Sequence, residues 1–330
     1  MQPAFQSESA LSIKVIGVGG GGCNVINHMI EEGLKGVEFI AVNTNPQALL
    51  QLNASKQVCI GEKTHRGLDG GEDPLKGEIA AEYSADEIFK VVRDVDLGFI
   101  VSTMGGGVGT GAAPVVARIA KQAGALTIGV VTQPFIFEGT RRMQKAVEGI
   151  NNLRKHVDTL IVFSDDQIKE IDIHASLSDA FKTIDHKIFQ GIKGISDLLT
   201  IPNLICLTFA ELRSILSGGK FAHLIVGEAS GEDRARAATV KAISSCPMDF
   251  PLNKADCILV NFSCSPDLAL VEVKLGIDLI RESAHPNVNI LFGAIIDQGL
   301  IDEFHVTAIA TGYESMKGQG LIRKFNYWNI

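Results

Sequence analysis

The chain has 330 residues, of which 46% are hydrophobic, and a formal net charge of −8. This length allows two modest cores, while the negative charge argues against nucleic acid as a partner. The chain has no run of about 20 uncharged apolar residues, and residues 1–5 lack the basic and apolar segments of a signal peptide, so a cytoplasmic protein is expected.

The first predicted element is a strand at residues 13–18, and a helix is predicted near residues 24–32. Four glycines lie between them, which are Gly19, Gly20, Gly21 and Gly22. A glycine loop at a helix N-terminus directs unpaired backbone N–H groups at one point, which suits phosphate oxygens. Asn24 is expected either to contact a nucleotide or to be a simple N-cap, and the two roles are compatible.

The second predicted strand, at residues 39–43, tests one interpretation of these glycines. Gly17, Gly19 and Gly22 match the dinucleotide pattern. In nicotinamide-binding proteins of that kind, an acidic residue ends the second strand and holds the ribose. This strand ends in the amide of Asn43 instead. A nicotinamide-dependent oxidoreductase is therefore a disfavoured alternative.

A helix near residues 74–92 and a buried strand at 97–103 precede a second glycine cluster, and a helix near 112–122 follows it. The members of this cluster are Gly105, Gly106, Gly107, Val108, Gly109, Thr110 and Gly111. So many glycines cost conformational entropy without any gain in packing, which argues against a purely structural turn. Because no Gly-Lys-Ser/Thr sequence is present, backbone amides rather than a P-loop lysine are expected to hold a triphosphate.

Strands at residues 126–132 and 159–164, with a helix near 140–156 between them, continue the alternation of strands and helices. This alternation predicts an α/β fold with a parallel sheet that is covered by helices on both faces. Nucleotides bind at the carboxyl ends of such strands, where both glycine clusters lie. The first half of the chain is therefore predicted to be a Rossmann-like nucleotide-binding domain.

A long amphipathic helix is predicted over about residues 175–199. We interpret it as a core helix that joins two domains, and a partner-binding helix is the alternative. The remaining elements suggest a smaller α+β domain and are predicted at residues 209–217, 222–227, 234–244, 257–262, 268–282, 289–295 and 305–311. The six cysteines show no C-x-x-C spacing, and no metal cage built by the protein is expected.

The second glycine cluster resembles the signature GGGTGTG of the tubulin/FtsZ family. Further matching segments are residues 15–22, 39–44, 124–132, 134–139, 194–199, 291–297 and 306–312. The resemblance covers roughly residues 12–313 and is greatest to the FtsZ branch of the family. The organisation that it implies is a flexible N-terminus at 1–11, a GTP-binding domain at 12–174, a central helix at 175–200, a C-terminal α+β domain at 201–313 and a short tail at 314–330.

The same resemblance assigns nucleotide contacts outside the glycine clusters. Asp185 takes the position that reads guanine, with Phe181 stacking nearby, and a carboxylate can accept from both N1–H and the 2-amino group of that base. Asp165 stands where the family usually has an asparagine, so an acceptor is kept and an amide donor is lost. The other expected contacts are Cys23, Asn24, Asn43, Pro134, Glu138 and Arg142. Glu138 and Arg142 match ribose contacts, and their spacing alone would indicate an i,i+4 ion pair.

In this family, a loop after the central helix, typically NLDFADV, completes GTP hydrolysis on a neighbouring subunit. The corresponding residues 206–212 have Cys206 for the asparagine, Thr208 for the first aspartate and Glu211 for the second. Losing a proton-accepting or water-orienting group costs about 10²–10⁴ in rate, so slow GTP turnover is predicted. Val108, which replaces a threonine of the signature, points the same way. The resemblance also implies Mg²⁺, held mainly by the phosphates.

The resemblance implies a GTP-binding cytoskeletal protein that polymerises head to tail and acts in cell division, at the division site. The alternatives are a nucleotide-binding scaffold that neither polymerises nor hydrolyses GTP, and a co-assembly partner of a more active paralogue. The family usually docks on membrane-anchoring division proteins through a peptide beyond a long linker. This chain stops at Ile330, and its last ten residues are expected to pack on the body, to be disordered or to lie at a membrane interface.

Overall fold

A computed structural model describes residues 11–61, 71–164, 176–201, 204–205, 207–218, 220–247 and 250–313. Four of the regions singled out in the sequence lie outside the described residues. They are residues 1–10 of the predicted N-terminal segment, Asp165, Cys206 and the predicted tail at 314–330.

The first half of the described chain alternates strands with helices. Its elements are β1 (Ile13–Val18), α1 (Gly19–Glu31), β2 (Glu38–Asn43), α2 (Pro46–Leu50), β3 (Lys56–Cys59), α3 (Pro74–Tyr83), α4 (Ala85–Val92), β4 (Leu97–Thr103), α5 (Gly107–Gln122), β5 (Leu126–Gln133), α6 (Thr140–Arg154) and β6 (Thr159–Ser164). A short 3₁₀ turn, Ile136–Glu138, precedes α6.

The second half begins with the long helix that the amphipathic pattern predicts. Its elements are α7 (Leu177–Thr200), α8 (Phe209–Leu216), β7 (Lys220–Ser230), α9 (Arg234–Ser244), β8 (Cys257–Cys264), α10 (Leu270–Ser283), β9 (Asn289–Ile296) and β10 (Glu303–Thr311). No helix of the described segments is long and apolar enough to cross a membrane.

The described strands form one sheet in the order β3-β2-β1-β4-β5-β6-β7-β10-β8-β9. Strands β1 to β6 pair in parallel, and β7 joins β6 in parallel through three residue pairs, the first of which is Thr159 with Lys220. Strand β10 is antiparallel to β7 and β8, while β8 and β9 are parallel. The predicted fold class, a parallel nucleotide-binding sheet followed by a central helix and an α+β unit, is confirmed.

Both faces of the parallel sheet are buried because successive side chains of a strand point to opposite sides. In β1, Val15 belongs to an apolar cluster with residues of α1 and α7, whereas Ile16 belongs to a cluster with residues of α3, α4, α5 and α6. Every residue of β1 and of β5 is buried, as expected for strands covered on both faces. Helix α7 buries Ile184, Ile188 and Ile192 in the first of these clusters, so it is a core helix as predicted.

Three features differ from the sequence-based expectations. Helix α1 begins at Gly19 and α5 begins at Gly107, so the first glycine cluster and residues 107–111 of the second lie within these helices rather than in loops before them. The predicted single helix at 74–92 is two helices that meet at Ser84, whose hydroxyl accepts from the backbone nitrogen of Gly61 at 3.1 Å. The short elements α2 and β3 have too few residues for a recognisable hydrophobic period and are not predicted.

Candidate nucleotide-binding site

The two glycine clusters meet at the carboxyl edge of the sheet. Strands β1 and β4 are neighbours, and Val18 of β1 is paired with Ser102 of β4. The Ser102 hydroxyl donates to the Val18 carbonyl at 3.2 Å and ties the two strand ends together. Helices α1 and α5 begin just beyond these ends, and no side chain among the described residues caps either of them. Their first N–H groups therefore remain available to a ligand.

The first turns of α1 and α5 touch each other through glycines. A methyl group added at Gly19 would lie 2.6 Å from the backbone nitrogen of Gly109, and Gly19 has a φ of 75° that other residues rarely adopt. Methyl groups at Gly21 and Gly22 would collide with atoms of β4. Gly19, Gly21 and Gly22 are therefore required for the close approach of the two helix N-termini to each other and to the sheet.

Gly20 and Gly106 are different, because a methyl group at either position would meet no atom of the described residues within 4 Å. Gly20 lies in the first turn of α1, and Gly106 is the N-cap residue of α5. Both therefore face open space at the place where the two sets of unpaired N–H groups begin. A cradle of this kind, lined by amides and free of side chains, fits a phosphate group.

The remaining members of the second cluster turn inward. Gly105 donates its backbone N–H to the Thr110 hydroxyl at 2.8 Å. Methyl groups at Gly107 and Gly111 would collide with the backbone of residues 71–74, and Gly111 lies beyond the helix positions whose N–H groups are unpaired. Val108 packs in the apolar cluster on the α3 side of the sheet. The slow turnover expected from valine in place of the signature threonine stays a prediction.

The side chain of Cys23, also predicted as a nucleotide contact, points away from the cradle. Its Sγ atom lies 3.5 Å from the carbonyl oxygen of Gly17 and 3.8 Å from that of Val42. Burial raises the pKa of this thiol to about 12. Cys23 can therefore face a ligand only through its backbone.

Asn24 and Asn43 occupy different surroundings. The N-cap residue of α1 is Val18, so the interpretation of Asn24 as an N-cap is wrong. Asn24 is exposed on the second turn of α1, where its side chain is accessible to a ligand. Asn43 is buried at the carboxyl end of β2, and its Oδ1 atom accepts from the backbone nitrogen of Thr44 at 2.8 Å.

Asp185, the predicted guanine-reading residue, lies on α7 and contacts α1. Its Oδ2 atom is 2.7 Å from Nδ1 of His28, and its side chain is 12% exposed. Burial raises the pKa of Asp185 above its ordinary value, and the neighbouring His28 opposes this rise. No sequence pattern singles out His28, because only the packing of α1 on α7 brings it to Asp185.

Three aromatic residues pack together on α7 and in the segment before α6. The Phe181 ring of α7 meets the Phe135 ring edge-on at a centroid distance of 5.6 Å, and Phe135 stacks on Phe137 at 5.1 Å. Phe181 and Phe137 keep 40% and 70% of their surface exposed. The predicted stacking residue Phe181 therefore has an accessible face.

The predicted ribose contacts lie beside the second glycine cluster. A methyl group at Gly105 would approach Cγ of Arg142 to 2.7 Å and Cγ of Pro134 to 3.4 Å. Glu138 accepts from Nε of Arg142 at 3.1 Å and from the backbone nitrogen of Phe135 at 2.9 Å. Glu138 and Arg142 thus form the i,i+4 ion pair, and they do so at the edge of the cradle.

Thr208 and Glu211, the predicted catalytic residues, form a capping box at the start of α8. The Thr208 hydroxyl accepts from the Glu211 backbone nitrogen at 3.2 Å, and the Thr208 backbone nitrogen donates to Oε2 of Glu211 at 2.8 Å. Hydrogen bonds from the backbone and hydroxyl of Thr208 hold the pKa of Glu211 below its ordinary value. In one copy of the chain, Glu211 therefore has a structural role.

Helix α8 lies at the amino ends of the parallel strands, whereas the cradle lies at their carboxyl ends. Its Arg213 donates to the carbonyl of Gly124, two residues before β5 begins, at 2.8 Å. Its Leu216 carbonyl accepts from the hydroxyl of Thr159, the first residue of β6. The amino ends of these parallel strands thus carry α8, and their carboxyl ends lead to the cradle. Pro134, Glu138 and Arg142 lie beside the second glycine cluster, whereas Thr208 and Glu211 lie at the other end of the strands. The nucleotide contacts assigned from the sequence stay predictions.

The fold and the cradle define an α/β protein of the nucleotide-binding class. Residues 12–172 match the family model for the tubulin/FtsZ GTPase domain, and residues 220–314 match that for the FtsZ C-terminal domain. A structure of an FtsZ dimer from M. jannaschii is 38% identical over 94% of this chain and 90% of that chain, with a TM-score of 0.87. CetZ1 from Haloferax volcanii is 22% identical over 96% of this chain and 98% of that chain, with a TM-score of 0.79.

The two family models and the similar FtsZ structure together cover nearly the whole chain. The protein belongs to the tubulin/FtsZ family, and it carries that family's GTPase domain together with the FtsZ C-terminal domain.

Proposed function

We propose that this chain is a GTP-binding cytoskeletal protein that polymerises head to tail, with nucleotide at each contact between subunits. The observation that carries the proposal is the position of Glu211 on α8, at the sheet edge opposite the cradle. Within a single copy, this carboxylate cannot reach a nucleotide bound in the cradle. In a stack, the Glu211 carboxylate of the next copy can reach it. Such a contact is heterologous, so it propagates into an open filament.

In this proposal the nucleotide is bound from three sides. Amides in the first turns of α1 and α5 hold the phosphates, and the open positions Gly20 and Gly106 leave room for them. Asp185 accepts from the guanine base, and Glu138 with Arg142 contacts the ribose. Asp165 is proposed as a second acceptor for the base. Mg²⁺, which would neutralise phosphate charge, is assigned mainly to the phosphates themselves.

Hydrolysis is proposed to be slow because Glu211 is poorly suited to accept a proton. Two hydrogen bonds from Thr208 already stabilise its carboxylate, and they lower its pKa. Thr208 itself can orient a water molecule but carries no charge. A misplacement of about 1 Å between a catalytic group and its substrate is costly, so the longer side chain of Glu211 adds to the effect.

An exposed apolar surface at the mouth of the site supports self-association. Ile136 and Phe137, in the 3₁₀ turn before α6, are 60% and 70% exposed, and Phe181 beside them is 40% exposed. Grouped apolar residues on a protein surface commonly mark an interaction site. A second copy that covers this surface would also close the nucleotide site. The similar M. jannaschii FtsZ is itself a dimer in its structure.

Two measurements on the purified protein test the proposal. Calorimetry in magnesium buffer should detect binding of GTP and of GDP, with ATP and NADH as controls. Sedimentation should yield a pellet of protein that depends on GTP. Failure to bind GTP would refute the proposal as a whole. Binding of GTP without a pellet would favour the non-polymerising scaffold, and electron micrographs of the GTP sample would show whether pelleted material is filamentous.

We also propose a cytoplasmic protein that acts at the division site. The alternative of co-assembly with a more active paralogue is motivated by an intact cradle in a chain whose catalytic loop is altered. If it holds, mixtures with such a paralogue should release phosphate faster than the sum of the two proteins measured separately. A fluorescent fusion that stays evenly distributed in dividing cells would contradict the division role.

A further inference from the structure

We propose that His28 is a positioning residue for guanine recognition, which holds the Asp185 carboxylate in the orientation and the ionised form that the base requires. The inference rests on the proposed GTP-binding function. It concerns a residue of α1 that neither the glycine pattern nor the family signature singles out.

His28 lies on α1, the helix whose first turn contributes to the phosphate cradle, and it contacts the base-reading residue Asp185. Its Nδ1 atom lies 2.7 Å from Oδ2 of Asp185, and the carboxylate is nearly buried while the imidazole is 36% exposed. His28 belongs to the same helix as Gly20, eight residues further along, which corresponds to roughly 12 Å of helix. Helix α1 thus reaches from the phosphate cradle to the base reader.

The hydrogen-bonding capacity of the carboxylate fits this arrangement. Donation from Nδ1–H of His28 occupies one lone pair of Oδ2, and it leaves Oδ1 and the second lone pair of Oδ2 for the base. Guanine offers two neighbouring donors, N1–H and the 2-amino group. His28 can therefore orient Asp185 without competing with guanine, provided that Nδ1 carries a proton.

The charge of Asp185 depends on the same contact. Burial favours the neutral carboxyl, Glu32 of α1 acts in the same direction, and His28 favours the carboxylate. Among the described residues, Phe181 lies on the same helix one turn before Asp185 and is apolar, and His186 on the other side contacts Glu32 at 3.1 Å. A neutral carboxyl would present an O–H donor beside the two donors of guanine and would keep fewer acceptor sites for them, so the ionised form binds the base more tightly.

Two substitutions at position 28 and one matched control test the inference. His28→Ala removes the donor, whereas His28→Asn keeps an N–H donor close to the position of Nδ1. His186→Ala is the control, because His186 follows Asp185 on α7 and pairs with Glu32 rather than with the base reader. The dissociation constant of GTP is measured for each protein across the acid-to-neutral pH range, together with its thermal unfolding temperature.

We expect His28→Ala to weaken GTP binding by about tenfold or more at neutral pH, because a hydrogen bond to a charged acceptor is lost. The pH at which affinity falls should also move upward, because loss of His28 lets the pKa of Asp185 rise further. His28→Asn should recover most of the affinity at neutral pH, and His186→Ala should bind like the wild type.

The outcomes separate this inference from the function on which it rests. If the wild type binds no GTP, the proposed function fails and the inference fails with it. If the wild type binds GTP and His28→Ala matches it in affinity and pH profile, only the inference is overturned. Weaker binding without a shift in the pH profile and without recovery in His28→Asn would show a merely structural role and would equally overturn it.

Discussion

Thr208 donates two hydrogen bonds to Oε2 of Glu211, one from its backbone nitrogen and one from its hydroxyl, each at 2.8 Å. This contact starts α8 and at the same time stabilises the carboxylate as an anion. From the sequence, these two residues are predicted to stand where the family loop has two aspartates. In the proposed filament, a single pair would then serve both helix capping and catalysis. Because one pair would serve both roles, changing it should change the rate of GTP turnover.

Replacing Thr208 by aspartate together with Cys206→Asn should accelerate GTP turnover by about tenfold or more, because it restores a second acid and the amide of the family loop. Phosphate release measured under assembly conditions checks this expectation. Thr208→Ser is the matched control, since it keeps the hydroxyl of the capping box and adds no acid. Wild-type turnover already equal to that of the restored variant would contradict the proposal of slow hydrolysis.

An added methyl group at Gly106 should impair nucleotide binding without harming the fold. Gly106 has φ −86° and ψ 171°, which alanine readily adopts, and no described atom lies within 4 Å of the new methyl group. We expect GTP affinity to fall by about tenfold or more through crowding of the phosphates, with an unchanged unfolding temperature. Gly98→Ala in β4 is the control, because its methyl group would make only one ordinary contact with the described residues, at 3.7 Å. Undiminished affinity in Gly106→Ala would argue against the cradle.

Asp185→Asn should change the base preference from guanine to xanthine. The amide would offer a donor to the 2-oxo group of xanthine where the carboxylate accepts from the 2-amino group of guanine. Competition between GTP and XTP, measured by calorimetry, should reverse in this variant. Asp179→Asn changes an exposed aspartate of the same helix and should keep the preference for GTP. A variant that loses both nucleotides equally would indicate a structural role for Asp185.

Phe137→Ser should weaken self-association and spare nucleotide binding. The ring is 70% exposed at the mouth of the site, so its removal costs the single copy little, whereas a subunit contact would lose buried apolar area. Sedimentation with GTP measures the effect, and calorimetry confirms that the nucleotide still binds. Phe89→Ser, which removes another exposed ring on α4, serves as the control. Equal pellets for the wild type and both variants would place the contact elsewhere.

The strongly periodic parts of the fold are predictable from the sequence, and the details of the site are only partly so. The buried strands β1, β4 and β5 and the long helix α7 follow from continuous or helical apolar patterns. The helical conformation of Gly19 does not, because glycine has little helix propensity and tertiary packing decides its state. His28 and Asp185 are 157 positions apart in the sequence and lie on different helices, so no local pattern reveals their pairing.

The position of α8 shows the same limit. Its capping box can be recognised in the sequence, because a threonine is followed by a glutamate three residues later. Its location at the amino edge of the sheet depends on tertiary contacts of Arg213 and Leu216. The sequence alone therefore predicts which residues of the loop differ from the family, and only the fold shows that Thr208 and Glu211 lie away from the cradle of their own chain.

Arg234→Met should destabilise the C-terminal half of the chain. Arg234 is almost fully buried, and it donates to both carboxylate oxygens of Glu272 at 2.8 and 3.1 Å and to Asp267 at 3.1 Å. Removing one partner of such a network costs about 2–4 kcal/mol. Arg236→Met is the control, because Arg236 is exposed on the same helix and its ion pair with Asp233 is long, at 3.7 Å, so that its loss should cost less than about 1 kcal/mol.

The stability of the same region should depend on pH in a defined direction. Hydrogen bonds from Arg234 hold the pKa of Glu272 below its ordinary value, so the carboxylate stabilises the fold at neutral pH. This contribution is lost as the pH falls through the lowered pKa of the folded state. Denaturant unfolding should therefore show a steeper loss of stability in acid for the wild type than for Arg234→Met. Parallel acid profiles for the two proteins would show that the charge of Glu272 is not linked to folding through Arg234.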